Sequence, residues 1–217
     1  MTDATTQKIK WKKLLLPTGI GAVSGFLAAF AFLQFTDSDV GTGLTGSEEI
    51  AGLVAIIYIL TGLAVLVGVL SPNTGAKVLN VEDADELREQ RVQLGYSAVG
   101  MAAFGIALLV LALAGPTGWI APMTGAILAI VLILFATALS FFMTRHIDEL
   151  QRELSRDAMG MSFSLVTFFG GGWALLAHTG LLSAPAPIDW LTMFAAALLI
   201  AAFWQTGKRG LLMRGPN

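Results

Sequence analysis

Six long apolar segments, separated by short polar stretches, dominate the hydropathy pattern of the chain. The hydrocarbon core of a bilayer is about 30 Å thick, so a helix of roughly 20 apolar residues is long enough to cross it. Backbone groups inside lipid must bond to one another, which favours helices. The pattern predicts an all-α, polytopic membrane protein that forms a single transmembrane helical bundle, with spans at about residues 14–35, 50–70, 95–114, 119–143, 159–182 and 188–204.

Lysine and arginine occur only in alternate connecting segments. All 13 lie before the first span, after the sixth, or in the second and fourth connections, at Lys8, Lys10, Lys12, Lys13, Lys77, Arg88, Arg91, Arg145, Arg152, Arg156, Lys208, Arg209 and Arg214. Because Lys and Arg in short loops are retained on the cytoplasmic side, the pattern predicts that the N-terminus and the C-terminus are both cytoplasmic. Tryptophan favours membrane interfaces, so only Trp173 is expected in the middle of a span.

The first span also resembles a secretory signal peptide, because it follows a cluster of lysines. Ala29 and Ala31 supply the small residues of a cleavage site. The apolar run is, however, longer than the roughly 7–15 residues of a signal-peptide core. We therefore expect an uncleaved signal anchor, whereas cleavage would remove the first span.

The two longer cytoplasmic loops, at about residues 80–94 and 144–158, are predicted to form helices that continue into the spans after them. Their similar sequences favour a tandem repeat of a helical hairpin, although amphipathic helices also converge on Asp, Glu, Leu and Arg. In the second loop, Asp148 and Arg152 have the i,i+4 spacing of a helical ion pair. The candidate partner-facing residues of the two loops are Asp85, Glu86, Arg88, Asp148, Glu149 and Arg152.

Small or polar residues recur at intervals of three or four along the first, third and fifth spans. This spacing places them on one helix face, where small residues let helices approach closely. The alternative is the wall of a solute pathway or ligand crevice, for which the fifth span is the best candidate because it adds two hydroxyls and an imidazole. The candidate helix-packing or crevice residues are Gly21, Gly25, Gly100, Ser164, Thr167, Gly171 and His178.

Composition argues against several kinds of chemistry. Only 13% of the residues are charged and none lies in the interior of a predicted span, whereas proton relays and ion pathways need intramembrane charges. The chain has no cysteine. His146 is predicted at the cytoplasmic end of the fourth span and His178 near the opposite side of the membrane in the fifth, so the two are too far apart to share a haem or a metal. We expect no catalytic residue, no metal site and no cofactor. We also expect no nucleic-acid partner, because ten of the fifteen acids are predicted on the same side of the membrane as all the bases.

The segment from Met143 to Gly180 resembles a group of small bacterial inner-membrane proteins of uncharacterised function. The shared run is Asp148, Glu149, Leu150, Gln151 and Arg152. Those proteins continue with a further acidic residue and alanines, where this chain has Arg156, Asp157 and Ala158. The resemblance implies a multi-pass protein of the bacterial inner membrane and no particular activity.

These features favour a non-enzymatic scaffold or accessory subunit of a membrane complex. Its partners would be the lipid bilayer and either another membrane protein or further copies of itself. The alternative is a transport component for a small neutral or amphipathic solute, either a permease or a substrate-binding membrane subunit. That function would need a water-accessible cavity beside Ser164, Thr167 and His178.

Overall fold

The computed structural model describes residues 3–37, 43–78, 84–115, 118–145 and 147–210, with side chains from Gly19 onward except at residues 77 and 78. The side chains of Trp11 and of the lysines up to Lys77, together with His146 and Arg214, lie outside this description. Within these ranges all regular secondary structure is helical, and the helices are α1 Asp3–Thr36, α2 Gly46–Leu70, α3 Pro72–Val78, α4 Ala84–Glu89, α5 Arg91–Ala112, α6 Pro122–Met143, α7 Glu149–His178 and α8 Pro187–Lys208.

Among the described residues, six helices are long and apolar enough to cross a bilayer, namely α1, α2, α5, α6, α7 and α8. The predicted all-α, polytopic architecture is thereby confirmed. Local caps set where two helices begin. Thr45 accepts a hydrogen bond from the N–H of Glu48, whose carboxylate accepts one from the N–H of Thr45 at 2.7 Å, so α2 starts before residue 50. Asp148 accepts from the N–H of Gln151 at 2.7 Å and starts α7.

Helix α7 combines the second predicted loop helix with the fifth span and ends earlier than predicted. Gly180 follows it with φ 77°, and the N–H of Leu181 donates to the carbonyl of Leu176 at 3.0 Å. Glycine adopts this left-handed conformation without steric cost, which ends the helix. The indole N–H of Trp173 donates to the carbonyl of Ser183 at 2.9 Å, so this side chain reaches the loop beyond α7.

Helix α2 lies at the centre of the bundle. It packs against α1, α5 and α8, while α6 packs on α5 and α7 packs on α8. The buried core residues at this centre are Ala51, Ala55 and Tyr58 of α2, Leu108 and Ala112 of α5, and Ala195 of α8. The hydroxyl of Tyr58 donates to the carbonyl of Ala195 at 2.8 Å and joins α2 to α8.

Two glycines allow α2 and α5 to touch backbone to backbone. A Cβ added to Gly62 of α2 would lie 2.7 Å from the carbonyl oxygen of Ala98 on α5. A Cβ added to Gly105 of α5 would lie 2.9 Å from the carbonyl oxygen of Ala55 on α2. Small residues at such positions let helices gain dispersion contacts in lipid, where no hydrophobic force drives them together.

The two loops that are predicted to be cytoplasmic differ in structure. In the first, the helix predicted to be continuous is interrupted at Gln90, which lies between α4 and α5 with φ −86° and ψ 4°. Leu87 of α4 is fully buried, whereas Leu150, its counterpart in the second loop, is 40% exposed. The leucine of α4 in the first loop is therefore buried, whereas the leucine of the second loop belongs to the exposed start of α7. The tandem repeat stays a hypothesis, and this pair of residues does not support it.

Helices α6 and α7 are consecutive but do not pack against each other along their lengths. Residues 144–148 connect them, and a short connection predicts antiparallel neighbours. Instead α6 covers one side of α5, and α7 covers one side of α8. As a result α7 lies at the edge of the helix arrangement.

Candidate functional site

The charged candidate residues lie at one end of the bundle, which we call the basic end because Arg88, Arg152 and Arg209 lie there. The side-chain amide of Gln93, in the first turn of α5, donates to that of Gln151 in the first turn of α7. This hydrogen bond joins the helix that follows the first loop to the helix of the second. The basic end is therefore one connected surface.

Two acids of the first loop bond to side chains of the same loop. Arg88 forms an ion pair with Asp85, and their side chains are 57% and 78% exposed. The carboxylate of Glu86 accepts a hydrogen bond from the side-chain amide of Gln90 at 3.0 Å. An exposed ion pair such as that of Arg88 with Asp85 contributes only about 0–1 kcal/mol.

In the second loop the expected ion pair between Asp148 and Arg152 does not form. The carboxylate of Asp148 instead caps α7, as described above. Glu149 and Arg152 are exposed in the first turns of α7, and neither forms an ion pair with another described residue. These two charges face solvent at the start of α7.

Arg209, which follows α8, holds the basic ends of α7 and α8 together. Its guanidinium donates to Asp157 at 2.7 Å and to Glu153 at 3.2 Å. These bonds, that to Asp157 first, raise the pKa of Arg209. This contact could not be predicted from the sequence, because the spacing of Glu153 and Asp157 shows a shared helix face but not which helix lies beside it.

Helix α7 contacts the rest of the chain mainly through one face. Its buried residues Ala158, Ser162, Val166 and Gly170 recur every four positions. A Cβ added to Gly170 would lie 2.8 Å from the ring of Trp190 on α8, so this glycine allows the two helices to approach. At about 100° per residue, the predicted stripe of small residues lies on the opposite side of α7.

Ser164, Thr167, Gly171 and His178, the predicted stripe of α7, are all exposed. A Cβ added to Gly171 would meet no atom within 4 Å. The hydroxyl of Ser164 donates to the carbonyl of Gly160, one turn earlier in the same helix, at 3.0 Å. In the described part of the chain these residues neither pack against another helix nor line the groove described next. Their role in contacts with another molecule stays a prediction.

The stripe of α1 is likewise open. A Cβ added to Gly21 or Gly25 would meet no atom within 4 Å. Helix α1 touches the bundle near its other end, where the ring of Phe32 covers Gly52 and Phe35 packs on Trp119 with ring centroids 4.6 Å apart. An apolar groove of about 300 Å³ lies beside α1, lined by Ser24, Leu60, Leu63, Ala64, Val67, Gly68, Thr74 and Gly75.

Gly100 of the third span lies beside α6. An added Cβ there would be 3.9 Å from the carbonyl oxygen of Ala136, an ordinary van der Waals distance. The glycine of α5 that lies against the backbone of another helix is Gly105, which the predicted stripe did not include. Gly105 lies in the middle of the third predicted span, where a glycine can allow two helices to approach. The spacing of small residues did not show that Gly105, rather than Gly100, makes the closer contact.

Among the described residues no group of three or more His, Asp or Glu side chains could hold a metal ion. His178 is exposed near the end of α7, while His146 lies outside the described residues. The described part of the chain thus brings together charged side chains at the basic end and an open stripe on α7. No protein-family model, curated protein or solved structure matches the chain.

Proposed function

We propose that this multi-pass membrane protein is a non-enzymatic scaffold or accessory subunit that binds a membrane protein, either another chain or a further copy of itself, through the open face of α7 and the charges of the basic end. We further propose that it resides in the bacterial inner membrane, as its resemblance around residues 143–180 and its one-sided lysines and arginines imply. The observation that carries the proposal is the exposure of the small and polar stripe of α7.

Comparison with α6 shows why that exposure favours a partner. The outward side of α6 carries large apolar side chains such as Ile130, Val131 and Leu134, which are 57–63% exposed and suit contact with lipid. The stripe of α7 instead presents glycine and hydroxyl groups. A helix-interior glycine costs about 1 kcal/mol relative to alanine, and in lipid it gains few dispersion contacts. Close packing against another helix would offset that cost.

The charges at the start of α7 extend this surface beyond the membrane. Glu149 and Arg152 are exposed within the first two turns and form no ion pair with a described residue. Opposite charges on a partner would fix its position along α7, because like charges opposed to them would be repelled. The exposed pair of Asp85 and Arg88 provides a second, weaker contact.

The geometry supports association better than transport. A solute pathway would need Ser164, Thr167 and His178 to line a water-filled cavity, and all three are exposed on α7. The groove of about 300 Å³ is apolar and lies beside α1 instead.

Affinity purification after gentle extraction from the native host tests the proposal. The wild type, the double variant Arg88→Glu with Arg152→Glu, and the control Lys208→Glu, which reverses another exposed charge at the basic end, are compared by quantitative mass spectrometry. We expect a stoichiometric membrane protein with the wild type and the control, and a several-fold loss with the double variant. A wild-type protein purified without any stoichiometric membrane protein, its own further copies included, would overturn the proposal.

A further inference from the structure

The charged turns at the start of α7 carry opposite charges on the two sides of the stripe. With about 100° of rotation per residue, Arg152 and Arg156 lie on one side of the line that the stripe follows, and Glu153 and Asp157 lie on the other. All four side chains are exposed. The bases and the acids also lie at the same height along the helix, because they are adjacent in sequence.

This arrangement is complementary to itself. Copies of one chain enter the membrane in the same orientation, so two copies related by a two-fold axis along the membrane normal would place their α7 helices parallel. Such an axis opposes the basic side of each helix to the acidic side of the other, at the same height. Arg152 and Arg156 of one copy would then face Glu153 and Asp157 of the second copy, twice in the interface.

The contact of Arg209 within each chain leaves this complementarity in place. One guanidinium bonds to both Glu153 and Asp157, so the acidic side keeps a net negative charge. At the height of residues 152–157 the basic side carries Arg152 and Arg156 and no acid, because Asp148 and Glu149 lie in the preceding turn, which leaves a net positive charge at that height. The two sides therefore attract each other in a symmetric pair even when the internal ion pairs stay formed.

We propose that the partner of α7 is a second copy of this chain, packed in parallel along the stripe from Gly160 to His178. This inference rests on the proposed function, since it names the partner of the open face. Added Cβ atoms at Gly160 and Gly171 would meet nothing within 4 Å, so both glycines are open to a second backbone. The charged turns set the register, and the stripe supplies the close contact inside the membrane.

Cysteine crosslinking in native membranes tests the pair directly, because the chain has no cysteine of its own. Ser164→Cys and Thr167→Cys place a thiol on the stripe with little change of volume. Phe169→Cys is the control at the same depth, since Phe169 is 63% exposed but lies on the opposite side of α7. A disulfide needs Cα atoms about 4.4–6.8 Å apart, a distance that only the two helices of a close pair reach.

We expect oxidation to give a disulfide-linked dimer from the two stripe variants and not from the control. The inference would be overturned if neither stripe variant gave a dimer, or if the control gave as much crosslinked dimer as the stripe variants. If the stripe variants do not crosslink while another membrane protein still purifies in a manner that depends on Arg88 and Arg152, the second copy is refuted and the proposed function stands. If neither is observed, both are refuted.

Charge exchange tests the register. Thr167→Cys chains that also carry Arg152→Glu with Arg156→Glu, or Glu153→Arg with Asp157→Arg, should each lose crosslinked dimer by about tenfold, because several exposed ion pairs become repulsive at once. Co-expression of the two differently tagged chains should restore dimer between them, which also shows that both fold. Crosslinking that is insensitive to both reversals, or the absence of restored mixed dimer, would overturn the proposed register.

Discussion

Replacing Gly62 by alanine tests how closely α2 and α5 approach. The new Cβ would lie 2.7 Å from the carbonyl oxygen of Ala98 and 2.9 Å from the backbone nitrogen of Ala102. Both are backbone atoms of a helix, so neither can turn aside as a flexible side chain would, and the two helices must separate. Overpacking of this kind costs about 1–3 kcal/mol, and removing a helix-interior glycine returns up to about 1 kcal/mol. We expect Gly62→Ala to lower the free energy of unfolding by about 1–2 kcal/mol.

Gly172→Ala is the matched control. Gly172 lies inside α7, and an added Cβ would meet no atom within 4 Å. The same substitution should therefore leave stability unchanged or raise it by up to about 1 kcal/mol. Both variants are purified in mild detergent and unfolded by titration with sodium dodecyl sulfate, and far-UV circular dichroism reports the fraction folded. Equal free energies of unfolding for the two variants would refute the backbone contact between α2 and α5.

Further predictions concern the buried loop residue, the core tyrosine and the basic end. Leu87→Ala should lower the free energy of unfolding by about 2–5 kcal/mol and Leu150→Ala by less than about 1 kcal/mol in the same titration, whereas equal losses would mean that the two loops are packed alike. Tyr58→Phe should cost about 0.5–1.5 kcal/mol through loss of one interhelical hydrogen bond, and no cost would show that the bond contributes nothing. Arg209→Ala should speed amide hydrogen exchange in the last turn of α8, while Lys208→Ala should not. Because bonds to two carboxylates raise the pKa of Arg209, its stabilising contact persists below the ordinary arginine value and is lost only above it, so protection of that turn should not fall between about pH 7 and 9. A loss of protection over that range would contradict the assignment.

Much of the fold was predictable because the relevant physics is local. The length of each apolar run decides whether a helix can cross a bilayer, and six helices were found where six runs were predicted. Two helix starts differ from the prediction although their signals are local: Thr45 and Glu48 form a capping box that starts α2 before residue 50, and Asp148 caps α7 instead of pairing with Arg152. Local rules did not predict the interruption at Gln90. The short helix before it, α4, packs against α2, α3 and α5 and buries Leu87, and these contacts cannot be read from neighbouring residues.

The candidate site was harder to predict, because periodicity shows that residues share a face but not what covers that face. Gly62 and Gly171 are both glycines inside apolar helices. The first lies against the backbone of α5, and the second lies against nothing in the described part of the chain. The stripe of α7 was found from spacing alone, yet its exposure follows from α7 packing mainly on α8 in the described part of the chain, which depends on contacts distant in sequence.

Three features follow from the amino-acid order without any tertiary contact: the number of predicted spans, the side of the membrane predicted for the lysines and arginines, and the small-residue stripe on α7. Hydrophobic length, charge and helical periodicity are properties of neighbouring residues, so they can be read along the chain. Contacts between helices are needed to show that Arg209 bonds to Glu153 and Asp157, that Leu87 is buried, and that the stripe faces away from α8. Those outcomes depend on which helices become neighbours, and in lipid that choice follows from shape and close packing rather than from hydrophobicity.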